Sequence, residues 1–321
     1  MRRRALIIAG ALAPFAARSQ TSKVYRIGML ENLSASTNRK NVEALLRGLR
    51  DAGYVEGKNL VIDYRSVDGR AERYEEAAVN LVRAKPDIIV TRGTSATAAV
   101  KKAGSIPIVM TATANPVGTG LVANLAHPGG NITGLTSLVT EVHAKRMELI
   151  KELFPAVKRV GFAANVGNLN SPTQWQSVEH AARSLGLQAQ FIGVRDADSL
   201  RQGLEAARKQ GVGAILVNTE AVMLANRQLI VDFGATHKLP IMYSSREFVD
   251  AGGLVSYGVD YPALYYRAAT YIDKILKGAR PGDLPIEQPT KFELVINLKA
   301  AKAIGLRLSR EFLSRTDEAI Q

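Results

Sequence analysis

A chain of 321 residues has the length of about two domains, and a hydrophobic share of 46% supplies a sizeable core. The absence of cysteine excludes disulfides, thiol catalysis, cysteine-ligated metal and a lipid-modified cysteine behind a signal sequence. The formal charge is +13, but beyond the first nineteen residues the lysines and arginines are spread out, with no run of five and no interleaved aromatics. This pattern describes a solvated basic surface that favours anionic ligands slightly, and it argues against nucleic acid as a partner.

In chain order, Met1-Arg2-Arg3-Arg4 is a basic start, Ala5 to Ala13 a short apolar run, and Ala17-Arg18-Ser19 offers small residues where a signal peptidase reads. Residues 1–19 are therefore expected to be a secretory signal peptide, with the twin-arginine motif incomplete. They hold Arg2, Arg3, Arg4 and Arg18 and no acid, which leaves +9 for the rest. The expected location is the periplasm, free of a lipid tether. No later stretch reaches the ~20 apolar residues of a membrane span.

From Val24 strands and helices alternate. "VYRIGML", "NLVIDYR", "PDIIVTR" and "IPIVMTA" read as strands. Between them "RKNVEALLRGLRDAG", "RYEEAAVNLVRAK" and "SATAAVKKAG" carry helical spacing. After "GGNITGLTS" the cycle restarts with the helix "AKRMELIKELFP". The strands "KRVGFAA", "LQAQFIGV", "GAILVN" and "PIMYSS" then alternate with the helices "SPTQWQSVEHAARSLG", "DSLRQGLEAARKQG" and "MLANRQLIVDFGATHKL". "GGLVSYGVDYPALYYRAATYIDKILKG" adds a strand and a long helix, and "KFELVINLKAAKAIGL" a last strand and helix. Such alternation predicts an α/β fold of two Rossmann-like, doubly wound lobes. With no flexible linker between them, short hinges are expected near Leu135–Thr140 and Ala251–Ser256.

Ligands of parallel sheets sit beyond the carboxyl ends of the strands. The loops there are Glu31 to Ser34, Gly93 to Ser95, Thr111 to Pro116, Asn165 to Ser171, Asn218 to Glu220 and Tyr243 to Arg246. All are rich in Asn, Thr and Ser, which hydrogen-bond without charge and suit a small polar ligand. Single residues of this kind also cap helices.

Catalysis finds less support. "GTSAT" at Gly93–Thr97 comes within one residue of the turn that presents a nucleophilic serine, Ser95. The serine needs a base. Of the four histidines, His127 sits in a Pro-Gly loop, His143 and His180 on outward-looking helix sides, and His237 near a helix end. The sequence has no metal-ligand spacing and no P-loop, and no GxGxxG follows the first strand. No catalytic residue, metal or cofactor is expected.

Four separated stretches carry a resemblance: "GLRDAGYVEGKNLVIDYR", "NPVGTGLVANLAHPGGNITGLTS", "MYSSREFVDAGGLVSYGVD" and "YIDKILKGARPGDLPIEQPTKFELVINLKAAKAIGL". They resemble the tryptophan-type substrate-binding proteins of ABC transporters, which have the type I periplasmic binding fold, in the family's order and from about Val24 to the C-terminus. The resemblance implies a three-crossing hinge, with the third crossing near Pro285–Thr290. Residues 24–135 and 253–284 then form one lobe, and 136–252 and 285–321 the other.

The family's cleft loops fall on Asn32, Thr94, Ser95, Asn115, Asn168, Asn170, Asn218, Ser244 and Asp260, to which the strand-end loops add Thr113 and Thr219. Relatives commonly carry Asp before Pro-Val where this chain has Asn115, which puts amine recognition there in doubt, and many carry proline at Ser95. Proline can replace a first helical residue but not a nucleophile. Gly93–Thr97 is therefore expected to be a helix N-terminus aimed at the cleft, with Thr94 offering its side chain and Ser95 its N–H. A ligand carboxylate would sit there or near Ser171-Pro172. Asp260 or Glu220 could meet an amine, and Tyr243, Trp175 and Phe248 could stack on a ring.

The implied function is a monomeric periplasmic binding protein that captures an amino acid-like or aromatic acid-like molecule by domain closure. It would deliver that molecule to an ABC permease in the inner membrane. A ligand-sensing subunit for a membrane receptor, or a secreted serine hydrolase using Ser95, are the alternatives. A transcription regulator of this fold would need a DNA-binding helix pair where the signal peptide lies.

Overall fold

The first lobe is built from strand–helix units whose strands are covered on both faces. The computed structural model describes residues 23–138 and 142–321; the expected signal peptide, and the end of the Leu135–Thr140 hinge, lie outside the described residues. Its elements are β1 (Tyr25–Glu31), α1 (Arg39–Asp51), β2 (Leu60–Ser66), α2 (Tyr74–Arg83), β3 (Ile88–Arg92), α3 (Thr94–Ala103), β4 (Ile108–Thr113) and β5 (Ile132–Thr136). They form a parallel sheet in the order β2-β1-β3-β4-β5. Every residue of β3 and β4 is buried, the reason these strands read as unbroken apolar runs. β5, inside "GGNITGLTS", has only five residues and was not distinguishable as a strand by pattern.

The second lobe runs through α4 (His143–Leu153), β6 (Arg159–Asn165), α5 (Ser171–Ser184), β7 (Gln188–Val194), α6 (Ala197–Lys209) and β8 (Ala214–Val217). It continues through α7 (Ala221–Ala225), α8 (Arg227–Thr236), β9 (Ile241–Tyr243), α9 (Arg246–Asp250) and β10 (Val255–Val259). The expected single helix at Met223–Leu239 is two: Asn226 interrupts it, with its side-chain amide donating to the Val222 carbonyl at 2.8 Å.

α10 (Tyr261–Leu276) then returns to lobe 1, where Leu264, Tyr265, Ala268 and Ile272 share a core with Leu45 and Leu49 of α1. The chain ends with β11 (Phe292–Asn297), α11 (Leu298–Ala303), α12 (Arg310–Ser314) and β12 (Glu318–Ile320). The second sheet has the order β12-β11-β10-β9-β8-β6-β7, with β10 and β11 its antiparallel pair.

One expected boundary is corrected. β10 pairs parallel with β9 and antiparallel with β11, so residues 255–259 belong to the second sheet, not to the first lobe. The chain crosses back only after Val259, at Asp260, rather than at Ala251–Ser256. The last passage hydrogen-bonds to lobe 1 before entering lobe 2: Glu287 N donates to Gly134 O at 3.0 Å, and Thr136 N to Glu287 O at 2.9 Å.

The lobes are closed on each other. Leu33 packs into the lobe 2 core and Ala221 into the lobe 1 core. Gly69, at φ +79°, lies so near α7 that a Cβ there would stand 2.4 Å from Ala225 Cβ.

Candidate functional site

The carboxyl ends of β1, β3, β4 and β5 face those of β6, β8 and β9 across the lobe boundary. In lobe 1, Gly93 turns the chain from β3 into α3 with φ +87°, a conformation glycine adopts without strain. No side chain caps α3, and its first intrahelical bond runs from Thr97 N to Gly93 O at 3.2 Å. The N–H groups of the first turn therefore point toward the boundary, as an anion cradle requires.

The hydroxyls here serve the scaffold. Thr94 donates to Ala114 O at 3.2 Å, so its side chain is held locally rather than offered outward. Thr97 lies between Thr91 and Thr113, at 2.9 and 3.1 Å. Ser95 is half-buried at the second helical position. Asn115 adopts φ +44° and turns its Oδ1 onto Gly118 N at 3.0 Å, which closes its own Asn-Pro turn.

Beside these groups lies a buried charged cluster that pattern reasoning missed. Glu31 is fully buried and accepts from Tyr265 Oη at 2.7 and 2.8 Å and from Asn38 Nδ2 at 3.2 Å. Burial pushes its pKa up to about 7, against the pull of Arg92, Tyr265 and Asn38. Arg92, 2% exposed, lies over the Tyr261 ring at 4.1 Å and donates to Glu247 Oε1 of lobe 2 at 2.7 Å. Burial raises Glu247, but Arg92 overrides it and holds the carboxyl below the usual range. A second cross-lobe pair, Lys40–Asp250 at 2.8 Å, is more exposed. The available signals were an acid and an arginine closing apolar strands.

In lobe 2, Glu220 organises the loops. Its Oε2 accepts from Asn165 N, and its Oε1 accepts from Asn168 Nδ2 at 2.7 Å and Asn218 Nδ2 at 3.5 Å. Asn218 Nδ2 also donates to Gln174 Oε1 at 2.8 Å. Burial raises Glu220 to about 7 despite these donors. Asn168 Oδ1 accepts from Asn170 N at 3.0 Å, so Asn168, Asn170 and Asn218 are brought together. Ser244 and Asp260 are not part of this group: Ser244 donates to Val217 O at 3.0 Å, and Asp260 caps α10 by accepting from Ala263 N at 3.0 Å.

Two expectations fail. Tyr243 and Phe248 are buried and stacked on each other, with centroids 4.8 Å apart, and Trp175 packs edge-on against Phe191 at 5.5 Å, so these rings are committed to the lobe 2 core. His143 is buried, not outward-facing, because it continues the stripe of Arg146, Met147 and Ile150 at i+3, i+4 and i+7. Burial and Arg146 depress its pKa well below the usual value.

Some buried polar atoms at the strand ends take no protein hydrogen bond: Asn32 Oδ1 and Thr136 Oγ1 in lobe 1, Asn218 Oδ1 and Thr219 Oγ1 in lobe 2. A separate cavity of about 350 Å³ on the lobe boundary is lined by Asn38, Lys40, Arg227, Arg246, Glu247 and Tyr261 among others, and by none of these four residues. It meets the strand-end region at Asn38, Glu247 and Tyr261, around Arg92, and none of the eleven expected contact residues lines it.

Two sheets closed over a polar boundary, with the chain passing repeatedly between them, define a two-lobed ligand-binding protein of the type I periplasmic binding fold. The chain belongs to the ABC transporter substrate binding protein family, which it matches over residues 26–320. It is similar to a tyrosine-binding protein of Clostridioides difficile, 28% identical over 291 residues, covering 90% of this chain and 84% of that protein. An ABC domain from Streptococcus pneumoniae in complex with L-Trp superposes with a TM-score of 0.86 at 27% identity, over 93% of this chain and all of that one. A conserved domain protein from Vibrio cholerae does so at 0.86 and 28% identity, over 92% and 100%. The protein is thus a substrate-binding protein and not an enzyme, and Ser95 as a nucleophile is set aside. Substrate-binding proteins of this family are extracellular or periplasmic.

Proposed function

We propose that the protein captures a small amino acid-like or aromatic acid-like molecule between its lobes in the periplasm, as a monomer, and delivers it to an ABC permease. The observation that carries this reading is the set of unpartnered buried atoms at the strand ends of both lobes, Asn32 Oδ1 and Thr136 Oγ1 in lobe 1 and Asn218 Oδ1 and Thr219 Oγ1 in lobe 2. Leaving such a group without a partner costs about 1–3 kcal/mol, which a ligand bridging the lobes would recover. The open N-terminus of α3 supplies N–H donors for an anionic end. The names of two relatives, tyrosine-binding and L-Trp-bound, support the ligand class.

A ligand touching both lobes stabilises the closed form by its differential affinity. At a hundredfold excess over Kd it adds roughly 2.7 kcal/mol, which raises the melting temperature by several degrees. Thermal-shift and calorimetric titration with amino acids and aromatic acids tests the reading. A rise and a saturable heat with at least one member are expected; no response to any member refutes it.

A further inference from the structure

The lobe 2 half of the boundary contains a device that goes beyond shape. Resting on the binding reading above, we propose that Glu220 sets the hydrogen-bond polarity of this half, so that it receives a donor from the ligand. The ligand is then a carboxylic acid that also carries an N–H or O–H donor turned toward Asn218.

The argument follows the donors. The three groups that reach Glu220 are all N–H donors, Asn165 N, Asn168 Nδ2 and Asn218 Nδ2, so both of its carboxyl oxygens act as acceptors. Asn218 Nδ2 is also taken by Gln174 Oε1 at 2.8 Å. Both acceptors therefore hold the amide nitrogen of Asn218, and the carbonyl oxygen is turned away from them. That Oδ1 is buried and takes no bond from the protein, and Asn218 is 1% exposed. Next to it Thr219 Oγ1 is also buried without a partner. The backbone holds the amide in place, since Asn218 N donates to Ala163 O at 3.1 Å. Asn168 is oriented the same way, its nitrogen to Glu220 and its oxygen to Asn170 N.

Across the boundary, α3 presents N–H donors and suits an anionic group. Lobe 1 thus supplies N–H donors beside its own unpartnered acceptor, Asn32 Oδ1, and lobe 2 supplies the acceptor Asn218 Oδ1. A site built around a buried acceptor discriminates strongly against an analogue that lacks the donor, because the acceptor is then left unpaired. Glu220 acts through Asn218 and is a positioning residue.

Two probe series separate the cases: L-tryptophan, indole-3-lactate and indole-3-propionate, and L-tyrosine, 4-hydroxyphenyl-lactate and 3-(4-hydroxyphenyl)propionate. Within each series only the group beside the carboxylate changes, from amine to hydroxyl to hydrogen. Calorimetry on the full-length protein is expected to show the amine or hydroxyl member binding at least about tenfold tighter than the propionate. In Glu220→Gln, with the amide nitrogen in the place of Oε1 and the oxygen kept for Asn165 N, Asn168 and Asn218 both lose that acceptor and the Asn218 amide can turn, so the ratio falls below about threefold. Asn218→Ala removes the acceptor and has the same effect, which keeps the test usable if Glu220→Gln fails to fold; circular dichroism reports folding. Propionates that bind the parent as tightly as the donor-bearing members overturn the proposal and leave the binding reading intact. So does a ratio unchanged in the folded variants. No binding of any probe by the parent refutes the ligand class, and the proposal with it.

Discussion

The Arg92–Glu247 pair makes the closed arrangement testable without a ligand. Arg92 is on β3 of lobe 1 and Glu247 on α9 of lobe 2, 2.7 Å apart, with side chains 2% and 19% exposed. The pair exists only while the lobes are closed. Glu247→Gln keeps the shape and removes the charge, leaving Arg92 buried opposite a neutral amide. Breaking a buried pair on one side costs about 3–5 kcal/mol. Opening relieves that penalty by letting water reach Arg92. A shift of about 3 kcal/mol is roughly a hundredfold in the closed-to-open ratio. Small-angle scattering of the ligand-free variant is expected to show a larger radius of gyration than the parent, and hydrogen exchange should quicken at 245–250. Lys40→Ala is the control, because its pair with Asp250 has side chains 66% and 28% exposed and contributes under about 1 kcal/mol. Scattering and exchange identical in parent and Glu247→Gln would refute the reasoning.

Glu31 has its pKa raised to about 7 from 4.5, so the folded state holds the proton more tightly than the unfolded one. Its contribution is fully present below about pH 4.5 and is lost as pH rises through about 7. Urea denaturation of Glu31→Gln is expected to lose roughly 3 kcal/mol less between pH 5 and pH 8 than the parent does; equal losses would remove Glu31 as the source. Gly69→Ala places a methyl 2.4 Å from Ala225 Cβ at φ +79°. It should prop the lobes apart, visible in scattering, and cost about 1–2 kcal/mol of stability from backbone strain; an unchanged scattering curve would contradict the contact. Phe162→Ala, at a fully buried position in the lobe 2 core, is expected to cost about 3–5 kcal/mol by urea denaturation.

The alternation of strands and helices was legible along the chain because strands buried on both faces, such as Ile88–Arg92, must be continuous apolar runs, and helices such as Arg39–Asp51 must show a stripe. The strand-end loops were legible for the same reason, since they are where those runs stop. The sheet to which Val255–Val259 belongs was not, because a short apolar strand pairs equally well with either lobe until its neighbours are known. The roles of the polar residues were not legible either. Thr94, Asn115, Ser244 and Asp260 share the composition of Asn218, yet they spend their side chains on local backbone.

By itself, then, the sequence determined two α/β lobes and the loops in which a ligand site could lie, since burial and periodicity are local properties. Only the tertiary structure decided which groups in those loops are free and which charges are joined. Those outcomes depend on partners far away in the chain, Tyr265 for Glu31 across 234 residues and Glu247 for Arg92 across 155, and on Gln174 and Glu220, which together hold the amide nitrogen of Asn218.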